Sequence, residues 1–232
     1  MRHALVLSFA LVGLVACKNN PVEGKTMAQV AEPPRTADSV DNSAPMSARM
    51  IAPMGNLQAL GALSQPVALA INSENSKLSF VGAKVTGKHN GSFGVVGGTL
   101  SFARTIERSK LTIDVDVASL KTDGGDKLDG HLKSADFFDV AKFPKATFVS
   151  DKIVKDAEGK YTITGVMDLH GVKKQLSFPA TGETSPEFVS LKSEFGLSRK
   201  DFGVVYPGKP NDLIKDEILL VVEMKLPRPA KQ

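Results

Sequence analysis

The chain has 232 residues, 42% hydrophobic and 23% charged, with 12 Phe, no Trp and one Cys. That composition is globular, and a single Cys excludes a disulfide framework, a Cys-rich zinc site and CxxCH haem attachment. The formal charge of +4 raises nucleic acid as a partner, but residues 71–227 carry 22 Lys/Arg against 21 Asp/Glu. A cationic pair such as Lys173-Lys174 is too short to neutralise a row of phosphates, so no nucleic-acid partner is expected.

Residues 1–16 open with Arg2 and His3 and continue as an apolar run from Ala4 to Ala16. The run is too short to span a bilayer and has the build of a secretory signal. It closes as Leu14-Val-Ala-Cys17. This resembles the bacterial lipobox, which implies that Cys17 takes a diacylglyceryl group and, after cleavage, an amide-linked chain such as palmitate. Because one acyl chain holds a protein only marginally and two or three hold it durably, the mature chain is expected to be membrane-tethered. Lys18, standing where Asp would mark inner-membrane retention, implies outer-membrane sorting, with the protein facing the periplasm.

Residues 17–70 hold six of the 13 prolines, and no aromatic residue occurs from Lys18 through Ser79. Such a segment has too little apolar surface to offset its ordering entropy and reads as a disordered linker. Within it, Met50, Met54, Leu57 and Leu60 are spaced as on a short helix over 46–63. The folded domain is expected over 71–227, leaving 228–232 as a basic tail.

In that domain the dominant period is two. Leu111, Ile113, Val115 and Val117 alternate with Thr112, Asp114 and Asp116, the pattern of an antiparallel strand with one wet face. Similar runs at 78–85, 92–102, 146–154, 161–169, 174–180, 188–197 and 217–226 make about eight strands. Turns are expected at Asn90-Gly91, at 156–159 and at His170-Gly171, and Gly94, Gly97 and Gly98 predict a bulge in the second strand. Only 123–140 breaks the pattern. There Leu128 and Leu132 sit four apart among Asp126, Asp129 and Lys133, predicting a short helical insert, with Ser134 as N-cap of a second turn. An all-β barrel and a sandwich both satisfy this periodicity.

The run Asp129-Gly-His-Leu-Lys-Ser-Ala-Asp-Phe-Phe-Asp139, followed by Phe143-Pro-Lys-Ala-Thr-Phe148, resembles the signature of the YceI-like family of periplasmic proteins. Thr164-Gly-Val-Met-Asp-Leu-His-Gly171 and Ser198-Arg-Lys-Asp-Phe-Gly203 are similar to later motifs of that family, in the same order. The resemblance covers residues 74–226. It implies an eight-stranded antiparallel lipocalin-like barrel whose apolar lumen holds a polyisoprenoid or similar long-chain lipid. The first connection, 84–91, departs from the pattern by being shorter and more polar.

An eight-stranded barrel can be filled by its own side chains or can hold one ligand, and only the resemblance favours the ligand. On that basis the expected lumen is lined by Phe80, Phe93, Ile113, Val115, Ala146, Phe148, Ile163, Met167, Phe195, Leu220 and Val222. Lys88, Lys173, Lys174 and Arg199 are candidate cations for a phosphorylated headgroup. His89, His131 and His170 lack HExxH or paired-His spacing, so no metal is expected; His131 reads as a structural hydrogen-bonding residue that holds the insert to the barrel. Asp123, Asp126 and Asp129 lack the ligand pattern of a calcium loop and read as one solvated helix face.

No GxSxG elbow or Cys–His pair supports nucleophilic catalysis. The expectation is therefore a non-enzymatic envelope lipoprotein that binds or carries an isoprenoid-like lipid or quinone and requires no cofactor. Two alternatives stand beside it. One is an adhesive module with a solid barrel, motivated by exposed apolar residues on both faces of 219–222. The other is a lipid-modifying hydrolase or isomerase. A near-neutral domain is also compatible with a homodimer.

Overall fold

A computed structural model describes residues 19–34 and 65–229. Cys17 and the stretch 46–63 lie outside the described residues. In chain order the elements are β1 (Gln29–Ala31), β2 (Val67–Ile71), β3 (Ser76–Lys84), β4 (Gly87–Phe93), β5 (Val96–Ala103), β6 (Thr105–Asp116) and β7 (Leu120–Thr122). Helix α1 (Gly125–Lys133) follows, then β8 (Lys145–Ala157), β9 (Lys160–Leu169), β10 (Val172–Thr184), β11 (Phe188–Ser198), β12 (Gly208–Lys209), β13 (Asp212–Leu213) and β14 (Glu217–Pro227).

All ladders of the main sheet are antiparallel, in the order β2-β5-β6-β8-β9-β10-β11-β14-β3-β4-β7. The sheet curls until β2 lies beside β14 and β3 beside β5, so its concave face encloses one apolar core. This is the expected all-β barrel with a short helical insert. Alternation places its residues: along β6, Leu111 and Val115 are buried while Asp114 is exposed.

Two local expectations are corrected. The expected strand 92–102 is two strands, because β4 ends at Phe93 and β5 begins at Val96. Asn90-Gly91 lies within β4, and the β3–β4 turn is at Val85-Thr86. Gly91 is required there by packing: a Cβ at this position would stand 2.2 Å from the tip of the Phe80 ring, so the missing side chain is what lets that ring lie against β4. Ser134 caps the turn after α1 as expected, its Oγ accepting from Asp136 N–H at 3.3 Å and its carbonyl from Phe137 N–H at 3.1 Å, and it also ends α1. Its N–H and hydroxyl both donate to His131 O, at 3.1 and 2.7 Å, closing the helix. The turn at His170-Gly171 is as expected, with φ of 54° and 74° at its two central residues, as a type I′ hairpin demands.

The largest departure concerns the linker. Residues 19–34 are ordered on the barrel wall. β10 and β11 are hydrogen-bonded only from Thr181↔Lys192 to Thr184↔Val189; toward the α1 end they part. The N-terminal segment fills that seam. Gln29, Val30 and Ala31 pair with Ser177, Leu176 and Gln175 of β10, while Ala28 N–H donates to Gly196 O and Gly196 N–H to Thr26 O on β11. Val22 is buried, and Lys25 pairs with Glu194 at 2.8 Å. Unpaired backbone edges in a buried wall are costly, and here they are satisfied by a segment whose composition read as linker. β2 likewise begins at Val67, before the expected domain start. At the other terminus Arg228, assigned to the tail, donates through N–H to Glu187 O at 2.7 Å and through Nη1 to Ser185 O at 2.6 Å.

Gly130 lies inside α1, and a Cβ there would meet no atom within 4 Å. Nothing in the fold requires glycine at this position. Gly130→Ala is expected to raise stability by about 0.5–1 kcal/mol, because glycine in a helix loses more backbone entropy than alanine. A thermal-unfolding midpoint unchanged or lowered would refute this.

Candidate ligand-binding lumen

Inward alternation on β3, β4, β6, β8, β9, β11 and β14 lines a cavity of about 100 Å³ in the middle of the barrel. Phe80, Phe93, Ile113, Val115, Ala146, Phe148, Met167, Phe195, Leu220 and Val222 all face it. Ile163 does not. It is 2% exposed and packs in the apolar core with Ile106, Ile153 and Tyr161, away from the α1 end, where side chains fill the interior. Residues not expected in the lumen complete the lining, including Val96, Val117, Phe138, Leu169, Phe178, Leu197, Ile218 and Met224. Phe138 was legible as part of the Asp136-Phe-Phe run; its inward direction was not, because it stands in irregular backbone after α1.

Aromatic contacts shape this wall. The rings of Phe178 and Phe195 stack with centroids 4.4 Å apart, and Phe148 meets Phe178 at 5.4 Å. On the other side Phe93 lies between Phe80, at 5.6 Å, and Phe138, at 6.4 Å.

A second cavity of about 140 Å³ lies toward α1. It shares Phe80, Phe138, Leu169, Leu197 and Ile218 with the first, so these five side chains separate two chambers of one lumen. Leu128 and Leu132 of α1, with Phe137, Val204 and Ile214, provide its apolar lining, and its polar groups are Lys84, His89, Thr122 and Arg199. The surface of both chambers is almost wholly hydrocarbon, with Ser76, Lys77 and Thr147 contributing to the wall of the first as those four residues do to the second.

Of the four candidate headgroup cations, only Arg199 lines a chamber. It is 5% exposed, and three of its nitrogens are engaged: Nε donates to Lys215 O at 3.0 Å, Nη1 to Val204 O at 2.6 Å and Nη2 to Asp216 Oδ1 at 3.3 Å. Burial pulls its guanidinium below the ordinary arginine range, partly opposed by Asp216. Its observed role is to pin the loop that leads into β14. Lys88 is exposed, and its neighbour His89 is the β4 residue that faces the second chamber. Lys174 pairs with Glu32 of the N-terminal segment, and Lys173 lies 3.9 Å from Asp168.

The acidic triplet is not one solvated face. Asp126 is open to solvent, but Asp129 is 3% exposed and accepts from Thr122 N–H at 2.8 Å and Thr122 Oγ1 at 2.7 Å, with Lys121 Nζ at 3.2 Å. The hydrogen bonds from Thr122 hold its carboxyl below the usual range. Asp123 precedes the helix and accepts from Asn90 N–H and Asn90 Nδ2, both at 2.9 Å, with His89 Nδ1 at 2.8 Å. These two carboxylates tie α1 to β7 and β4, and so hold the roof of the second chamber. The side-chain hydrogen bond of His131 stays within the insert, its Nε2 3.0 Å from Asp136 Oδ2, and it is the ring that meets the barrel, packing on Tyr206 of the loop after β11 as well as on Phe137. Among the described residues no group of three or more His, Cys, Asp and Glu is placed to share a metal ion.

The hydrogen bond from Asn90 N–H, followed by those from His89 and Asn90 Nδ2, lowers the Asp123 pKa to about 2. Its unfolded value is about 3.9. A pKa depressed by folding contributes stability that is fully present above about pH 4 and is lost as pH falls toward about 2. Asp123→Asn is therefore expected to destabilise the protein at neutral pH, with the two unfolding midpoints converging over that acid window. A constant difference from pH 7 down to 2 would show that the carboxylate's charge is not what ties the helix to β4.

A model of the YceI-like domain matches residues 69–226 of the chain. The chain belongs to the YceI-like domain family. Curated relatives agree: a UPF0312 protein of Pseudomonas savastanoi pv. phaseolicola is 35% identical over 136 residues, covering 56% of this chain and 70% of the relative. A UPF0312 protein of Pseudomonas fluorescens is 35% identical over 138 residues, covering 56% and 71%. Among solved structures, a polyisoprenoid-binding domain from Saccharophagus degradans superposes with a TM-score of 0.57 at 16% identity, covering 71% of this chain and 99% of that one. BcnA of Burkholderia cenocepacia does so with 0.56 at 24% identity, covering 65% and 95%. At these identities the likeness establishes the lipocalin-like fold of this YceI-like domain. The family match begins at Leu69, so the segment that closes the β10–β11 seam lies outside it.

Proposed function

We propose that the chain is an envelope lipoprotein, anchored through Cys17 in the outer membrane and facing the periplasm, whose barrel binds or carries the tail of an isoprenoid-like lipid or a quinone. The observation that carries the ligand reading is the pair of apolar chambers inside the barrel, the second reaching to the α1 end. A hydrocarbon tail needs no directional partner; each buried CH₂ contributes about 0.8 kcal/mol, or roughly 4 kcal/mol for a five-carbon isoprene unit. The polyisoprenoid-binding description of the Saccharophagus domain supports the same ligand class.

Chambers of this size take small apolar groups readily, since an engineered cavity of about 150 Å³ binds benzene. A tail running through both must displace the Phe80 and Phe138 side chains between them. The reading is non-catalytic: the polar groups of the second chamber include two cations already paired, Lys84 with Asp212 and Arg199 with Asp216. The stretch 219–222 does not supply the exposed apolar faces that would motivate an adhesive module, since Leu219 and Leu220 are 7% and 8% exposed and Val221 and Val222 are half-buried.

Native mass spectrometry of the mature protein, purified from membranes in mild detergent, is expected to show one long-chain lipid per chain. Protein that is consistently empty and stays so when offered polyprenyl lipids would overturn the ligand reading. The anchor is tested separately by the mass of the N-terminal peptide, which is expected to carry acyl chains on Cys17 and to lose them in Cys17→Ser.

A further inference from the structure

We infer that the end of the barrel carrying Val85 and Leu213 is seated on the bilayer that holds the anchor, so that the second chamber lies against lipid. The inference rests on the lipoprotein reading of Cys17 and adds to it an orientation and a contact surface. A linker of some fifty residues would let the barrel tumble free of the membrane. The ordered N-terminal segment removes that freedom. Only Lys18 separates Cys17 from Asn19, the first described residue, and two residues span at most about 7 Å.

Asn19 is fixed at one end of the barrel, because its Nδ2 donates to Val85 O at 2.9 Å in the β3–β4 turn. From there the chain is held along β11 and then β10 by the contacts with Glu194, Gly196 and Leu176, so it cannot swing away without opening the wall. The acyl chains on Cys17 would therefore leave the protein beside Val85.

What surrounds that point fits a lipid surface. Val85 is 54% exposed and Leu213 50%, and they are adjacent, with Val85 N–H donating to Leu213 O at 3.0 Å. They share a shallow groove with Pro207, bordered by Lys200, Lys215, Asp216 and Glu217, with Lys200 Nζ 2.8 Å from Asp216 Oδ2. Exposed aliphatic side chains ringed by charges of both signs suit the boundary between acyl chains and a layer of zwitterionic and anionic headgroups. The residues next to them in sequence, Lys84 and Ile214, line the second chamber. A lipid leaving the bilayer at this face would enter the lumen with little exposure of its tail to water.

The chain has no Trp, so Val85→Trp and Leu213→Trp each introduce a single fluorophore at this end. Val154→Trp, in β8 near the opposite end, is the control; it replaces a side chain that is 38% exposed. Mature acylated protein is reconstituted into vesicles of phosphatidylethanolamine and phosphatidylglycerol with brominated acyl chains. Emission at 85 and 213 is expected to be quenched about two-fold or more relative to 154, since side chains on a seated surface reach the headgroup–acyl boundary. If the protein floats with the vesicles and 85 and 213 are quenched no more than 154, the seating is wrong while the anchor stands. If the N-terminal peptide carries no lipid and the protein does not float, the lipoprotein reading fails and the orientation fails with it.

Discussion

Deleting residues 19–34 while keeping Cys17 is expected to lower the free energy of unfolding by about 3 kcal/mol or more, from several hydrogen bonds at about 1 kcal/mol each and one buried valine. The deletion strips Gly196 of both backbone partners, leaves the open edge of β10 at Leu176 unpaired and removes Val22 from its buried position. The measurement is urea unfolding of the soluble, unacylated domain with and without the segment. A shift of that size places the segment inside the cooperative unit, and a coincident pair of curves would return it to the status of linker. Gly196→Val gives an independent check with the segment present. A Cβ at Gly196 would stand 2.2 Å from Met27 Sδ and 2.9 Å from Val22 Cγ1, so the larger residue should lift the segment off the wall and reproduce part of the loss.

The second large effect is on ligand. Ala146 is a small side chain facing the first chamber, opposite Val115 in the β6–β8 ladder. Ala146→Phe places a ring in the cavity, where it takes the volume a hydrocarbon tail would use. Lipid retention is expected to fall at least about ten-fold, equivalent to about 1.4 kcal/mol, the loss of roughly two CH₂ groups' worth of burial. Stability should change by no more than the usual overpacking cost of about 1–3 kcal/mol, because the ring enters existing space. Native mass spectrometry of the variant beside the parent reads the first quantity and thermal unfolding the second. Undiminished lipid in a folded Ala146→Phe would place the ligand elsewhere. The Asp123→Asn experiment complements this variant, since it loosens the roof of the second chamber and leaves the first untouched.

The parts legible in the sequence are those decided by local periodicity. Alternation along 111–117 placed Val115 and Ile113 on the lumen side because a strand's period of two is a backbone property, and the β9–β10 turn was legible because His170-Gly171 carries its own conformational preference. Features that depend on a distant partner were not. Gly91 resembles half of a tight turn, and only the position of Phe80 on the neighbouring strand shows why it is glycine. Asp123 and Asp129 share a spacing that fits a solvated helix face, yet each is held by groups on β4 or β7. The N-terminal segment forms a strand of three residues, too short to display a period, and its order comes from the gap it fills. Arg199 shows the same limit: its charge marks it as a headgroup partner, and the carbonyls of Lys215 and Val204 show what it holds.

The closure of the β10–β11 seam also bears on the order of assembly. The ion pair between Lys25 and Glu194 joins residues 169 positions apart, so in an exported chain the segment next to the anchor has its docking site among the last strands to cross the membrane. Contacts of such long range form slowly. The barrel therefore completes its wall only after β11 has emerged, and until then its apolar interior has a lateral opening along the strands whose closure follows from capture of the chain's own beginning.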